Sequence, residues 1–383
     1  MIKNLLHKET QNFINANLKT DLHSLLLKKS PFPEVSMLEI VEQIKGKNVA
    51  TKKFPFLLTD KIIFPPHLNL EQSSSESTSK YKAKLFKGEK FLDLTAGFGI
   101  DAYFLSQNFK QTTLIEINSG LLEIVEHNWK ILNKKATFKN QNLEDFLDKK
   151  EEKFDLIYLD PARRDSQKKK VFLLEDLSPN ILEIQEKLLE ISTKVLIKLS
   201  PLIDLSYLIS VLKNVTKIYI IALKNEVKEV AILLDKNNSE EKVKCICTNL
   251  ESEEADFEFN FEEEKNANAE FSDVLQYLYI PNNSVLKSGA FNLISQQFNL
   301  KKIHPNSHFY TSEFKISKFP GRVLKVKKVD SKEIKKGEYF NIVSKNYPLK
   351  PDDIKKKYKI KDGGENYLIF TQSINSKIIL KSF

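Results

Sequence analysis

The residues best suited to chemistry fall in two short strings, each at the end of an apolar run. Residues 91–101 read FLDLTAGFGID, an apolar strand, a turn holding Gly97 and Gly99, and a helix start at Asp101. Glycines in such a turn let the backbone approach a ligand closely, and the first amides of a helix favour groups that accept hydrogen bonds. Nineteen residues after Gly97, Glu116 closes the next predicted strand, Thr113–Ile117. A carboxylate at that switch point can accept both hydroxyls of a ribose, whereas an ordinary strand–helix turn with a surface glutamate would do nothing of the kind. The third strand, Thr137–Asn140, runs into Asn142, whose short polar side chain either meets an adenine amino group or starts a helix.

The second string, residues 155–165, reads DLIYLDPARRD. Asp160 leaves a buried strand and is braced by Pro161 at the sheet's carboxyl edge, facing the ligand crevice. Its carboxylate and the Pro161 carbonyl can each accept a hydrogen bond from a substrate N–H and so aim a nitrogen lone pair at a methyl donor. Arginine occurs at Arg163, Arg164 and Arg322 alone in a chain with 60 lysines and arginines. Lysine serves wherever either would do, so these three sit where a planar guanidinium is needed, to hold a phosphate or stack on a base. Ser200, before Pro201 at the end of the fifth strand, lines the same crevice or merely punctuates the strand. Asn225, Glu226 and Lys228 stand near that edge too, as substrate contacts or as turn polarity. His304 and His308 lack a cysteine or carboxylate partner in the pattern, and no metal is expected.

Those strings need elements to hold them. Apolar residues at helical spacing from Leu5 to Ile44, interrupted by Pro31 and Pro33, predict a small helical N-terminal region. Ser73 to Glu76 has the spacing of a capping box and predicts a helix onward to Phe86. From Lys90 short apolar strands alternate with helices: strands Phe91–Leu94, Thr113–Ile117, Thr137–Asn140, Phe154–Leu159, Lys194–Lys198, Ile218–Leu223 and Glu229–Leu234, with helices Asp101–Ser106, Ser119–Leu132, Leu182–Glu190 and Leu205–Val211. This is the pattern of a doubly wound parallel sheet. The last two strands are too close for a helical crossover, so the final one must be antiparallel. The acidic stretch from Asn237 to Glu270 reads as a linker or a solvated insertion, followed by a helix Ser284–Phe298 and a basic, β-rich end.

With 41% hydrophobic and 29% charged residues, the 383-residue chain can pack two or three domains and is not globally disordered. No apolar run reaches the ~20 residues a membrane span needs. Charges scattered through the first residues exclude a signal-peptide core, and Cys245 and Cys247, two apart on a β-like alternation, do not suit a disulfide. A cytoplasmic location is expected. The net charge is +9, yet Lys301 to Phe383 alone carries 20 basic and 8 acidic residues. All the positive excess therefore lies in the last fifth of the chain, the footprint of a nucleic-acid partner, or else a lysine-rich surface from a biased composition.

The segments quoted resemble class I S-adenosylmethionine-dependent methyltransferases. Asp93, Gly97 and Gly99, with Ala96 between, resemble the D-x-x-x-G-x-G loop of that family, in the variant whose first glycine is replaced. Asp160-Pro161 is similar to the D-P-P-[YFW] signature of enzymes that methylate exocyclic amino nitrogens, but Ala162 replaces the second proline and Arg163 the aromatic. It is similar also to the D-P-P-R of uridine C5 methyltransferases, whose cysteine nucleophile is replaced here by Ser200-Pro201. The whole chain resembles a bacterial methyltransferase family with a helical N-terminal region, a ferredoxin-like domain and a C-terminal THUMP-like domain, through residues 70–78, 286–291, 304–312 and 358–370. The resemblance implies a Rossmann-like sheet of seven strands, the last antiparallel, with small α+β C-terminal domains. It implies boundaries of 1–85 for the helical region and linker, 86–240 for the methyltransferase domain, 241–318 for the acidic linker and ferredoxin-like domain, and 319–383 for the THUMP-like domain. The expected cofactor is S-adenosylmethionine, held by Asp93, Gly97, Gly99, Asp101, Glu116 and Asn142. Asp160, Pro161 and Arg163 are the expected catalytic set, and Arg164, Ser200 and Arg322 the substrate contacts. The expected activity is methylation of a base nitrogen in a structured RNA, tRNA or rRNA. A non-catalytic RNA-binding protein that keeps the cofactor pocket, and a methyltransferase acting on protein or a small molecule, are the alternatives.

Overall fold

The computed structural model describes residues 2–149, 152–163, 173–237 and 242–383. By its internal contacts the chain forms two units, Met1–Thr216 with Ala231–Ser239, and Lys217–Val230 with Glu240–Phe383.

The first unit opens with helices α1 (Ile2–Leu5), α2 (Lys8–Ala16), α3 (Leu22–Leu26), α4 (Met37–Lys53), α5 (His67–Gln72) and α6 (Glu76–Lys84). Ser36 and Glu39 form a capping box at α4. The box expected over Ser73 to Glu76 does not form, because those side chains have other work. The Ser73 hydroxyl donates to the Asn69 carbonyl (2.6 Å) and the Ser74 hydroxyl to Asp101 (2.6 Å). Ser75 caps α6 instead, accepting from the Thr78 amide, while Glu76 accepts from the Phe56 amide and pairs with Lys80. Two buried amides tie the extended segment before α5 to its neighbours. Gln43 bonds both backbone groups of Phe64 (2.8 and 2.9 Å), and Asn128 both of Ile63 (2.7 and 2.9 Å). Each side chain satisfies one donor and one acceptor, as a neighbouring strand would.

Strands β1 (Gly88–Asp93), β2 (Phe109–Ile115), β3 (Thr137–Lys139), β4 (Phe154–Leu159), β5 (Ser192–Leu199), β6 (Val215–Leu223), β7 (Glu226–Asp235), β8 (Lys244–Leu250) and β9 (Phe257–Asn260) lie in the order β9-β8-β6-β7-β5-β4-β1-β2-β3. The β1–β2, β2–β3, β1–β4 and β4–β5 pairs are parallel. Leu156 to Leu159 and Val195 to Leu199 are buried without interruption, as strands covered on both faces must be. The covering helices are α7 (Ile100–Leu105), α8 (Ser119–Ile131), α9 (Leu143–Lys149), α10 (Ile181–Ile191) and α11 (Leu205–Val211). Helix α8 buries Leu121, Leu122, Val125 and Trp129 along one face and is capped by Asn118, which accepts from the Leu121 amide. Lys224 and Asn225, both at positive φ, make the two-residue turn from β6 to β7, so these strands run antiparallel as expected.

The expected sheet of seven is extended by two strands that the acidic composition hid. Strand β8 pairs in parallel with β6, Ile218 opposite Cys245, and β9 pairs antiparallel with β8. Most of the acidic residues gather in the turn from Glu251 to Asp256 and around the short α12 (Glu263–Asn266), while Glu258 in β9 points outward between the buried Phe257 and Phe259 and pairs with Lys244 of β8. Cys245 and Cys247 are buried free thiols in β8.

A second sheet contains β10 (Tyr277–Pro281), β11 (Lys301–Lys302), β12 (Tyr310–Ser312), β13 (Gly321–Lys328), β14 (Tyr339–Ser344), β15 (Lys361–Gln372) and β16 (Lys377–Ser382), in the order β11-β12-β10-β13-β16-β15-β14. Strand β15 serves two cores by alternation. Ile369 packs with Leu278, Ile303, Phe309 and Leu380, whereas Leu368 and Phe370 pack with Phe340 and Ile354, the latter from α15 (Pro351–Tyr358). The helix expected over Ser284–Phe298 is two, α13 (Asn283–Ser288) and α14 (Leu293–Gln297), because Gly289 takes a left-handed conformation (φ 79°) that ends the first. Among the described residues, no helix is long and apolar enough to cross a membrane.

Candidate active site

The carboxyl ends of β1 to β4 open onto one cavity of about 460 Å³, within the range of small-ligand sites. Asp93, Gly97, Gly99, Asp101, Glu116, Asn142 and Asp160 all stand on its wall, which is the convergence the two sequence strings require. Asn69, Gln72, Ser73 and Ser74 complete one side, and Ala162, Ser178 and Pro179 another.

The Gly-rich turn is strapped at several points. The Ala96 amide donates to the Ile115 carbonyl (3.0 Å), the Thr95 amide to Asp93 (2.9 Å), and the Thr95 hydroxyl accepts from the Asp160 amide (2.7 Å). Gly97 (φ 53°) and Gly99 (φ 73°) occupy left-handed conformations, for different purposes. A Cβ on Gly99 would crowd Val125 at 3.0 Å and Trp129 at 3.3 Å, so this glycine lets the turn sit on α8. At Gly97 a Cβ would meet only the Thr95 carbonyl, at 3.8 Å, so the backbone there stands open to an approaching group.

Glu116 lies one residue beyond β2. One of its carboxylate oxygens accepts from the Gly97 amide (2.9 Å) and the other from the Asn118 amide (2.9 Å), leaving each a further lone pair. Asn142 is at the cavity and also a cap, accepting from the Glu144 amide (2.9 Å). Beside it the Gln141 Nε2 is a buried donor with no hydrogen-bond partner among the described residues. Ile117, 70% exposed, adds an apolar face. A pair of acceptor oxygens, an open backbone, an unpaired amide donor and an apolar platform fit a molecule with a diol at one point and a flat nitrogen heterocycle next to it.

Asp101 occupies the wall as the hub of a buried network. Its carboxylate takes Lys82 Nζ at 2.9 Å and accepts from the hydroxyls of Ser74 (2.6 Å), Ser79 (2.6 Å) and Tyr158. Burial pushes this carboxyl up, but the Lys82 and Lys198 ammonium groups and the two serine hydroxyls outweigh it and hold it well below the usual carboxylate range. Asp93 is driven the other way. Burial, with Asp101, Asp160 and Glu116 nearby, raises its carboxyl well above that range against the Thr95 amide bond. Asp160, about one-third exposed, contacts the ammonium of Lys198, itself 10% exposed. Burial raises the Asp160 carboxyl, with Lys198 opposing.

The remaining expected residues are not among the described residues that line the cavity. Pro161 is buried after Asp160, and Ala162–Arg163 pairs antiparallel with Leu177–Ser178. Arg164 lies outside the described residues. Ser200 is exposed and not on the cavity wall, where its hydroxyl accepts from the Leu202 amide (3.3 Å) within its own turn. Asn225 bonds the Asn283 amide (2.7 Å) and side chain (2.6 Å), so it anchors a turn within the second unit. Arg322 is in β13 of that unit, its guanidinium 4.4 Å from the Tyr367 ring centroid. Sequence reasoning passed over Gln141, Ile117, Ser74, Lys82 and Lys198. Lysines at a helix end and a strand end read as surface, and only the fold shows Lys82 wholly buried.

Family models match three segments: Conserved hypothetical protein 95 over residues 76–196, a ferredoxin-like domain over 277–320 and a THUMP domain-like segment over 321–380. The crystal structure of a candidate methyltransferase from Porphyromonas gingivalis W83 is similar along the whole chain, with 30% identity, 99% of this chain and 97% of that one covered, and a TM-score of 0.86. Partial similarity extends to a candidate class I S-adenosylmethionine-dependent methyltransferase from Listeria monocytogenes (13% identity, 63% and 94% covered, TM-score 0.36). It extends also to an rRNA methylase from Streptococcus thermophilus (17% identity, 42% and 96% covered, TM-score 0.31). No curated protein matches the sequence. Wound sheet, strapped glycine turn and the β6–β7 hairpin define a class I methyltransferase. The chain belongs to the family of the Porphyromonas gingivalis methyltransferase, with its ferredoxin-like and THUMP-like segments.

Proposed function

We propose that the protein transfers a methyl group from S-adenosylmethionine to a base nitrogen of a structured RNA, tRNA or rRNA. The observation that carries the reading is that Glu116 and Asp160 share one cavity with the open backbone at Gly97. S-adenosylmethionine supplies an electrophilic methyl group on a sulfonium sulfur. Glu116 holds the ribose hydroxyls with its spare lone pairs, Gln141 and Asn142 meet the adenine, and Ile117 lies against its face. Asp160 accepts a hydrogen bond from the acceptor N–H and the Pro161 carbonyl a second, which turns the nitrogen lone pair toward the methyl group. Fixing that line of attack is the main catalytic contribution of such a site. Arg163, Arg164 and Arg322 hold the RNA. The THUMP domain-like match over 321–380 and the basic residues from Lys301 onward support RNA as the acceptor.

The test is to expose RNA from cells lacking the protein to enzyme and labelled donor, then map the labelled nucleoside. Asp160→Ala abolishes transfer while donor binding, measured by calorimetry, persists. Near-normal turnover by that variant would remove Asp160 from the reaction. Donor binding without transfer to any RNA pool would favour a non-catalytic RNA-binding protein.

A further inference from the structure

We infer that Lys198 is the positioning residue for Asp160, fixing one carboxylate oxygen so that the other faces the acceptor, an assignment that rests on the methyl-transfer reading above. Strands β4 and β5 are parallel neighbours with Leu159 opposite Ile197, so Asp160 and Lys198 follow at matching positions on adjoining strand tips. The Lys198 ammonium contacts Oδ2 of Asp160, and the described residues give that carboxylate no second side-chain partner. Lys198 Nζ is also 3.4 Å from the Ser74 hydroxyl, which donates to Asp101 at 2.6 Å, and Lys82 closes the chain on Asp101 at 2.9 Å. The ammonium is thus held from two sides and cannot swing away as a surface lysine does.

An ammonium buried at the tip of a central strand is costly unless paired, and an apolar residue would pack there at no such cost. What the lysine supplies is a fixed rotamer and a lasting negative charge on Asp160. The charged groups facing Asp160 are Lys198 from β5, Lys82 from α6, Asp101 from α7 and Asp93 from β1. Burial and Asp101 favour a protonated Asp160; Lys198, in direct contact, and Lys82, farther off, work against them. A protonated carboxyl would offer the acceptor N–H a poorer partner. Keeping Asp160 ionised also selects acceptors that bring a hydrogen to donate.

The test uses the full-length protein and does not depend on knowing the acceptor. The Asp160 carboxyl carbon, identified by its absence in Asp160→Asn, is titrated by 13C NMR. Lys198→Met raises its midpoint by one pH unit or more, and Lys198→Arg brings it back to within a few tenths. A midpoint in Lys198→Met equal to the wild type overturns the inference, and Lys198→Gln carries the same measurement should the methionine variant not fold. With total RNA from cells lacking the protein and tritiated donor, Lys198→Met lowers kcat at least tenfold, leaves the donor KM within twofold, and moves the acid limb of the pH profile upward. A loss equal at every pH, with the limb unmoved, would mean that Lys198 merely supports the fold and would overturn the inference. If the wild type methylates no RNA, the preceding reading fails, while the titration still decides whether Lys198 controls Asp160.

Discussion

Each oxygen of Glu116 already accepts a backbone hydrogen, from Gly97 on one side and Asn118 on the other, before any ligand arrives. The carboxylate is therefore aimed in advance, and a diol meeting it loses little freedom on its behalf. Hydrogen bonds to a charged group contribute about 1.5–3 kcal/mol each. With two hydroxyls held, Glu116→Ala is expected to weaken S-adenosylmethionine binding by about a hundredfold or more, read by calorimetry. An affinity within twofold of the wild type would show that the ribose is held elsewhere. This residue was legible because its spacing from Gly97 follows from the length of one strand–helix–strand unit. Gln141 was not, because an amide between two asparagines carries no periodic signal, and only the cavity shows its Nε2 without a partner. Ser200 was open for the opposite reason: being near a strand tip does not decide whether a side chain turns into the crevice, and this one lies off the cavity wall.

Among elements, α6 and α7 are joined by a charge pair that neither helix reveals alone. Lys82 is wholly buried and Asp101 nearly so, and the pair is completed by hydroxyls from Ser74, Ser79 and Tyr158. Removing one partner strands the other charge, at a cost of about 3–5 kcal/mol. Lys82→Met is expected to lower the unfolding free energy, read from urea denaturation, by that amount, and Asp101→Asn added to it to restore part. Full additivity of the two losses would show that they do not act as a pair. Acid adds a second check. The folded Asp101 carboxyl lies below its unfolded value of about 3.9. Its contribution is thus fully present above about pH 4 and is lost as pH falls toward the folded value. Asp101→Asn should flatten that part of the acid limb of stability. The elements were largely readable where one periodicity ruled: Phe154–Leu159 and Leu205–Val211 stand as the pattern predicts. They were hidden where composition and periodicity disagreed. Val243, Cys245 and Cys247 alternate as a strand, but Glu251 to Glu264 made the segment look like a linker. The structure resolves the conflict by pairing β8 and β9 and by employing the acids locally, Glu254 on Asn249 (2.8 Å) and Asn282 (3.0 Å).

For the molecule as a whole, the telling quantity is where its charge lies, because the excess of positive charge is confined to the last 83 residues while the rest is slightly acidic. Several of these cations stand over aromatic rings: Arg322 over Tyr367, Lys325 over Phe383 at 5.1 Å and Lys361 over Tyr339 at 5.2 Å. Tyr339 and Phe383 are themselves exposed, 55% and 63%. A cation beside an open ring offers a phosphate contact and a stacking surface in one place, a combination suited to unpaired nucleotides. Most of the binding free energy of such a surface comes from released counterions, so affinity must fall linearly with salt on logarithmic axes. Total tRNA bound by the full-length protein between low and high salt is expected to show that slope. Lys325→Glu with Lys361→Glu should reduce it by about two, roughly one for each phosphate no longer neutralised, while donor binding stays unchanged. Both lysines are exposed on β13 and β15, so unfolding should not explain the effect. If the slope of the double variant equals the wild-type slope, the lysines are a solvated surface of a lysine-rich chain, and the acceptor is recognised by other residues.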